Sequence, residues 1–267
     1  MYGGAEETGN IEYSDFSKIG IFLLFSIVLF IICWIIIKFV IGRSIQRSSA
    51  AGDSGSSIVT LVDKPQSGNK TIHIEQNPYG GSRSKFIKKS DDAKYGIEFS
   101  YSMWIYLDGY DLSSSSPKIL FYKGSNIYEP DKQLPIIYCP LIYLNGKTNV
   151  LHVEMNSYSN PKEGVTIPDI PINKWINIIV AVNQINMDVY INGNLAKSLK
   201  LDSIPKQNNS DVFINPGKGF DGYISRVMYF NKYISYMDIN DIVNRGPGKI
   251  DTSGLEQPRY LSNSFWY

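Results

Sequence analysis

The 267-residue chain carries 26 Lys and Arg against 25 Asp and Glu, a formal net charge of +1. With no basic stripe interleaved with aromatics, that balance excludes the electrostatic footprint of nucleic-acid binding. Its two cysteines are Cys33, inside an apolar run, and Cys139 beyond it; no intradomain disulfide can form, which fits a reducing compartment.

Residues 1–18 form a short acidic leader, with Glu6, Glu7, Glu12 and Asp15 against Lys18 alone. Ile19 to Ile37 then contains no charge and is almost wholly aliphatic or aromatic. As a helix this run rises about 28 Å, close to the hydrocarbon thickness of a bilayer. A helix pairs its own backbone groups, as lipid requires. A transmembrane helix is therefore expected over 19–41, with Ile19, Phe22, Leu24, Phe30, Trp34 and Ile37 among its anchoring residues. The rival, a cleaved signal peptide, would want a basic leader, a shorter apolar core and a small-x-small cleavage site. Here the leader is acidic, and Lys38-Phe39-Val40-Ile41 follows the run. Lys38, Arg43 and Arg47 follow the uncharged run and only Lys18 precedes it. The positive-inside rule then puts the N-terminus outside or in the lumen and the C-terminal domain on the cytosolic side.

Residues 42–57 (GRSIQRSSAAGDSGSS) are small, polar and Gly/Ser-rich, and read as a flexible linker. Beyond them, strand patterns alternate with turn signals. SIVTLV (57–62) and KTIHIEQ (70–76) are short strand candidates, and NPYGG (77–81) is a turn. In GIEFSYSMWIYLDG (96–109), Ile97, Phe99, Tyr101, Met103, Ile105 and Leu107 share one face. PKILFYKG, PLIYLNGKTNVLHVEMNS and KWINIIVAVN follow as further strands. In the last of these, Ile176, Ile178 and Val180 are expected on one side, with Ile179 and Val182 on the other. Asn192-Gly193 sits between two alternating runs and supplies the φ > 0 residues of a two-residue hairpin. ISYMDINDIV (234–243) reads as helix, opened by a capping box from Ser235 to Asp238. Many short strands with regular turns predict an antiparallel β-sandwich over 58–248. The tail, 249–267, has no clear period and ends in Phe265-Trp266-Tyr267. It either docks on a partner or packs back on its own sandwich.

Four blocks in order resemble a laminin-G-like domain of the concanavalin A-like jelly-roll superfamily. They are FSYSMWIYLDG (99–109) with KILFYKG (118–124), LIYLNGKTNVLHVEMNS (141–157), IPINKWINIIVAVNQINMDVYINGNLAKS (170–198) and GFDGYISRVMYFNKYISYMDINDIV (219–243). Trp104, Trp175, Asn192, Gly193, Gly219 and Gly222 carry the signature. Read physically, these residues build the sandwich: core tryptophans, turn glycines and a helix cap. The resemblance implies a jelly-roll β-sandwich behind one transmembrane helix.

Some relatives in that superfamily hydrolyse glycosides with two carboxylates on one strand, Glu-x-Asp-x-(x)-Glu. No such string occurs. The strand-borne acids Glu98, Glu154 and Asp188 are isolated in sequence and read as solvent-facing. The two histidines, His73 and His152, show no zinc spacing. No nucleophile elbow or P-loop is present. Asp108, Asp111, Asp211 and Asp221 lie near predicted loops, but no dense acidic loop supports calcium. No catalytic, cofactor or metal residue is assigned, and the chain is expected not to be an enzyme.

An abbreviated laminin-G-like domain behind an N-terminal anchor is similar to virion proteins of large DNA viruses. That resemblance implies a minor capsid protein linking an internal virion membrane to the capsid shell, with the domain facing the shell. Its partners would be the bilayer and other capsid proteins. The alternative is a membrane-anchored, lectin-like recognition or attachment protein, in which Tyr79, Tyr110, Tyr128 and Tyr158 stack on sugar rings. The cytosolic orientation counts against it.

Overall fold

The structure, a computed structural model, describes residues 24–35, 58–80, 84–90, 96–109 and 116–248. The first stretch is a helix, α1 (24–35), in which every residue is exposed, Leu24, Phe30 and Trp34 included. Among the described residues no helix is long and apolar enough to cross a membrane. Ile19, Phe22, Ile37, Lys38, Arg43 and Arg47 lie outside them, as do the linker and Phe265, Trp266 and Tyr267.

The second unit is a two-layer sandwich. Its strands are β1 (Ile58–Val62), β2 (Gln66–Ser67), β3 (Ile72–Ile74), β4 (Glu98–Leu107), β5 (Lys118–Gly124), β6 (Tyr138–Leu144) and β7 (Val150–Met155). β8 (Glu163–Pro168), β9 (Trp175–Asn183), β10 (Asn186–Ile191), β11 (Asn194–Lys200), β12 (Val212–Ile214), β13 (Gly222–Phe230) and the helix α2 (Tyr236–Arg245) follow. One sheet of seven strands runs β1-β13-β4-β9-β10-β11, with β2 paired to β13. The other, of six, runs β3-β12-β5-β6-β7-β8. All strand pairs are antiparallel.

β4 carries the expected alternation. Phe99, Tyr101, Met103, Ile105 and Leu107 enter the core between the sheets, and Ile97 packs against it. Burying each such side chain contributes about 1.5–3 kcal/mol. In β9, Ile176, Ile178 and Val180 face this core as expected. Val182 joins them, contrary to expectation, because the period of two continues unbroken to the strand's end. Ile179 and Ala181 face outward and are covered by Ile239 and Ile242 of α2.

Local chemistry sets the turns. Asn192 (φ 50°) and Gly193 (φ 83°) both take left-handed conformations between β10 and β11, as a two-residue hairpin demands. Gly222 (φ 138°) lies where a Cβ would come within 1.9 Å of the Tyr106 carbonyl oxygen. Ser235 caps α2 and the Asp238 carboxylate reaches back to its N–H, completing the capping box. At the other end Arg226 Nη1 donates to the carbonyls of Arg245 and Gly246, both at 2.8 Å.

Candidate functional site

α2 occupies part of the outer face of the seven-stranded sheet. Beside it, Trp104 and Trp175 come together, buried, with Tyr106 and Tyr223 packed against them. Tyr106 and Trp175 stand 5.6 Å apart between ring centroids. The two signature tryptophans therefore meet on an outer face rather than between the sheets.

The outer face of the six-stranded sheet holds most of the polar chemistry. Antiparallel register sets His73, Phe213, Tyr122, Leu141, Glu154 and Gly164 in one row across β3, β12, β5, β6, β7 and β8. At one end three rings stack. His73 lies 4.6 Å from Phe213 at an interplanar angle of 4°, and Phe213 lies 4.8 Å from Tyr122 at 15°. β12 runs between β3 and β5, so both faces of Phe213 are covered and its edge points out. Tyr128, from the segment between β5 and β6, meets Tyr122 edge-on, their hydroxyls 3.0 Å apart. Leu134 of that segment packs into the same cluster, while Ile127 and Ile136 stay exposed.

Further along the sheet stands Glu154, which is buried, not solvent-facing as its isolation in sequence suggested. Two tyrosines from β6 account for the difference. Tyr143 Oη donates to Oε1 at 2.8 Å, and Tyr138 Oη to Oε2 at 3.2 Å. Lys162 Nζ lies 3.5 Å and His152 Nδ1 3.9 Å from Oε1. Burial, together with the carboxylate, holds both phenols well above the ordinary tyrosine range. His152 stacks on Tyr143 at 4.6 Å, and burial lowers its pKa against the pull of Glu154. The cluster supplies one carboxylate, whereas glycoside hydrolysis uses two flanking the scissile bond.

Beside the ring stack an open depression of about 280 Å³ is lined by Gly124, Ser125, Asn126, Ser210, Asp211 and Phe213. Asp211 Oδ2 pairs with His73 Nε2 at 2.7 Å, and Oδ1 accepts from Gln76 N at 2.9 Å. Ser125 Oγ is shielded from solvent and has no hydrogen-bond partner among the described residues. Lys123 holds the far wall from beneath. Its Nζ donates to the carbonyls of Asn208 (2.9 Å) and Ser210 (2.7 Å), and Asn208 Nδ2 returns a bond to Lys123 O at 3.2 Å. Burial lowers the Lys123 pKa to about 8, with Cys139 and Asp211 opposing and Lys89 adding to the fall. Burial pushes the Cys139 thiol up to about 12.

Of the aromatics expected to stack on sugars, Tyr79 and Tyr158 are exposed on the surface. Tyr128 is half-buried and engaged with Tyr122, and Tyr110 lies outside the described residues. None of the three described tyrosines lines the depression. Asp111 also lies outside the described residues. Of the described loop aspartates, Asp211 alone lines it; its pairing with His73 joins positions 138 residues apart and leaves no local signal. Among the described residues no group of three or more His, Cys, Asp or Glu stands ready to hold a metal ion.

No curated protein matches the chain. Among solved structures, one of botulinum neurotoxin type C, whose cell entry depends upon interaction with two ganglioside molecules, is 20% identical, with a TM-score of 0.43. The serotype D ligand-binding domain in complex with N-acetylneuraminic acid is 16% identical, with a TM-score of 0.44. Each likeness covers 56% of this chain and 36% of the toxin chain, so the chain spans little more than a third of those structures. Residues 81–240 match a family profile, and that stretch carries most of the sandwich described above. The chain belongs to the concanavalin A-like lectin/glucanases superfamily.

Proposed function

We propose that the chain is a membrane-anchored, glycan-binding recognition protein without catalytic activity. The depression beside the ring stack carries this reading. A concave site with an apolar edge and a few convergent polar groups is the usual form of a small-ligand site. Here the Phe213 edge supplies the apolar part, with Asp211, Ser125 and Asn126 around it. Membership of a superfamily of lectins and glucanases supports the sugar class, and the single carboxylate of the Glu154 cluster favours binding over hydrolysis. The uncharged run Ile19 to Ile37 supports the anchor.

Lys38, Arg43 and Arg47 favour a sandwich on the cytosolic side, where few complex glycans occur. Orientation and ligand therefore bear on each other. Protease protection of a C-terminal tag in sealed vesicles separates them: protection places the sandwich in the lumen or outside, and cleavage places it in the cytosol. A second reading, the link between a virion membrane and a capsid shell, draws on exposed Ile127 and Ile136 as a protein contact. It predicts that the protein is present in purified virions.

The test of the main reading is a glycan array probed with the full chain in lipid nanodiscs. Saturable binding that falls with Asp211→Ala and survives Tyr158→Ala supports it. Absence of saturable binding across the array rejects it.

A further inference from the structure

We infer that the depression selects an uncharged sugar residue and discriminates against an acidic one such as a sialic acid; this rests on the glycan-binding reading above. The inference comes from the charges that line it. Of its six described lining residues, Asp211 alone is charged, and its side chain is 35% exposed. Lys123, next to the lining residue Gly124 in the chain, cannot serve a ligand. Lys123 is 4% exposed, and its ammonium is turned to the carbonyls of Asn208 and Ser210. His73 already points Nε2 at Asp211.

An acidic sugar entering the depression would thus lose water around its carboxylate. It would find no cation among the described lining residues to replace that water, and it would face Asp211. Burying a charge without a partner is unfavourable, and like charges set against each other add to the cost. A neutral sugar meets the opposite situation. A carboxylate is an acceptor only, and sugar hydroxyls are donors. Asp211 presents two oxygens, each already holding one hydrogen bond and each with a further lone pair. Ser125 Oγ, shielded and without a partner among the described residues, gains one if a hydroxyl reaches it. The Asn126 amide, exposed at the lip, offers both a donor and an acceptor.

The experiment compares lactose with 3′-sialyllactose, which share a neutral core, by titration calorimetry on the full chain in nanodiscs. Asp211→Asn keeps the shape and an acceptor for Gln76 N but removes the charge. Ser125→Ala removes the shielded hydroxyl. The expected result is saturable lactose binding and affinity for sialyllactose about tenfold weaker or worse. Asp211→Asn should narrow that gap at least severalfold, and high salt should narrow it as well. Circular dichroism of each variant confirms that the sandwich is intact. Equal or tighter binding of sialyllactose overturns the inference and leaves glycan binding standing. Lactose binding unchanged in both variants overturns the assignment to this depression. If neither sugar binds here and the array is also blank, the glycan-binding reading itself fails.

Discussion

Replacing Lys123 by methionine keeps most of the apolar stem and removes the ammonium that holds the 208–210 wall. The structure sets the magnitude through pH. Burial lowers the lysine from its ordinary 10.5 to about 8, a penalty on the charged folded form of about 3 kcal/mol. Below pH 8 the folded and unfolded chains both hold the proton, and the full penalty is present. As pH rises from 8 towards 10.5, the folded chain releases its proton while the unfolded chain keeps it, and the penalty shrinks. Wild type should therefore gain about 2 kcal/mol on Lys123→Met between pH 7 and pH 9.5. The assay is urea denaturation of both proteins in non-ionic detergent micelles, followed by tryptophan fluorescence. Cys139, raised to about 12, and the buried tyrosines lower stability over the same range. The tyrosines are common to both proteins and cancel in the difference; removing Lys123 only raises the Cys139 thiol further, so it too stays protonated in the folded chain across this range. Parallel stability curves across that range would refute a buried, strained ammonium at this position.

The remaining predictions concern the fold around the site. Tyr143→Phe removes a hydroxyl that donates to a buried carboxylate at 2.8 Å; unfolding free energy should fall by about 2 kcal/mol in denaturant titration. Gly124→Ala places a Cβ 1.8 Å from the Ile137 carbonyl oxygen; it should cost about 3 kcal/mol or more and widen or erase the depression, read as a lowered Tm and lost sugar binding. Ser235→Ala breaks the capping box of α2 and should cost about 1 kcal/mol, with sugar binding unchanged.

Local signals in the sequence reported local structure well. The alternation of β4, the Asn192-Gly193 hairpin and the Ser235–Asp238 capping box each depend on residues a few positions apart, and each appears in the structure. The helix begins at Tyr236 and runs to Arg245, two residues beyond the expected end, since the C-terminal contact comes from Arg226 on another element. Burial of Glu154 was not legible, because the hydroxyls that satisfy it arrive from Tyr138 and Tyr143 across strand pairing. The depression was hidden for the same reason. It joins 124–126 to 210–213, and only the placement of β12 between β3 and β5 brings His73, Phe213 and Tyr122 into one stack. Sequence reasoning pointed to conspicuous loop tyrosines instead, and exposure alone said nothing about where a concave surface would form.

Residue-resolved NMR on the isotopically labelled chain in nanodiscs, titrated with lactose, tests the central claim most directly. The account predicts saturable shifts of the backbone amides of Gly124, Ser125, Asn126, Ser210 and Asp211, with the His73 ring following. Shifts confined to the surroundings of Tyr79 or Tyr158, or no saturable shift at all, would contradict it.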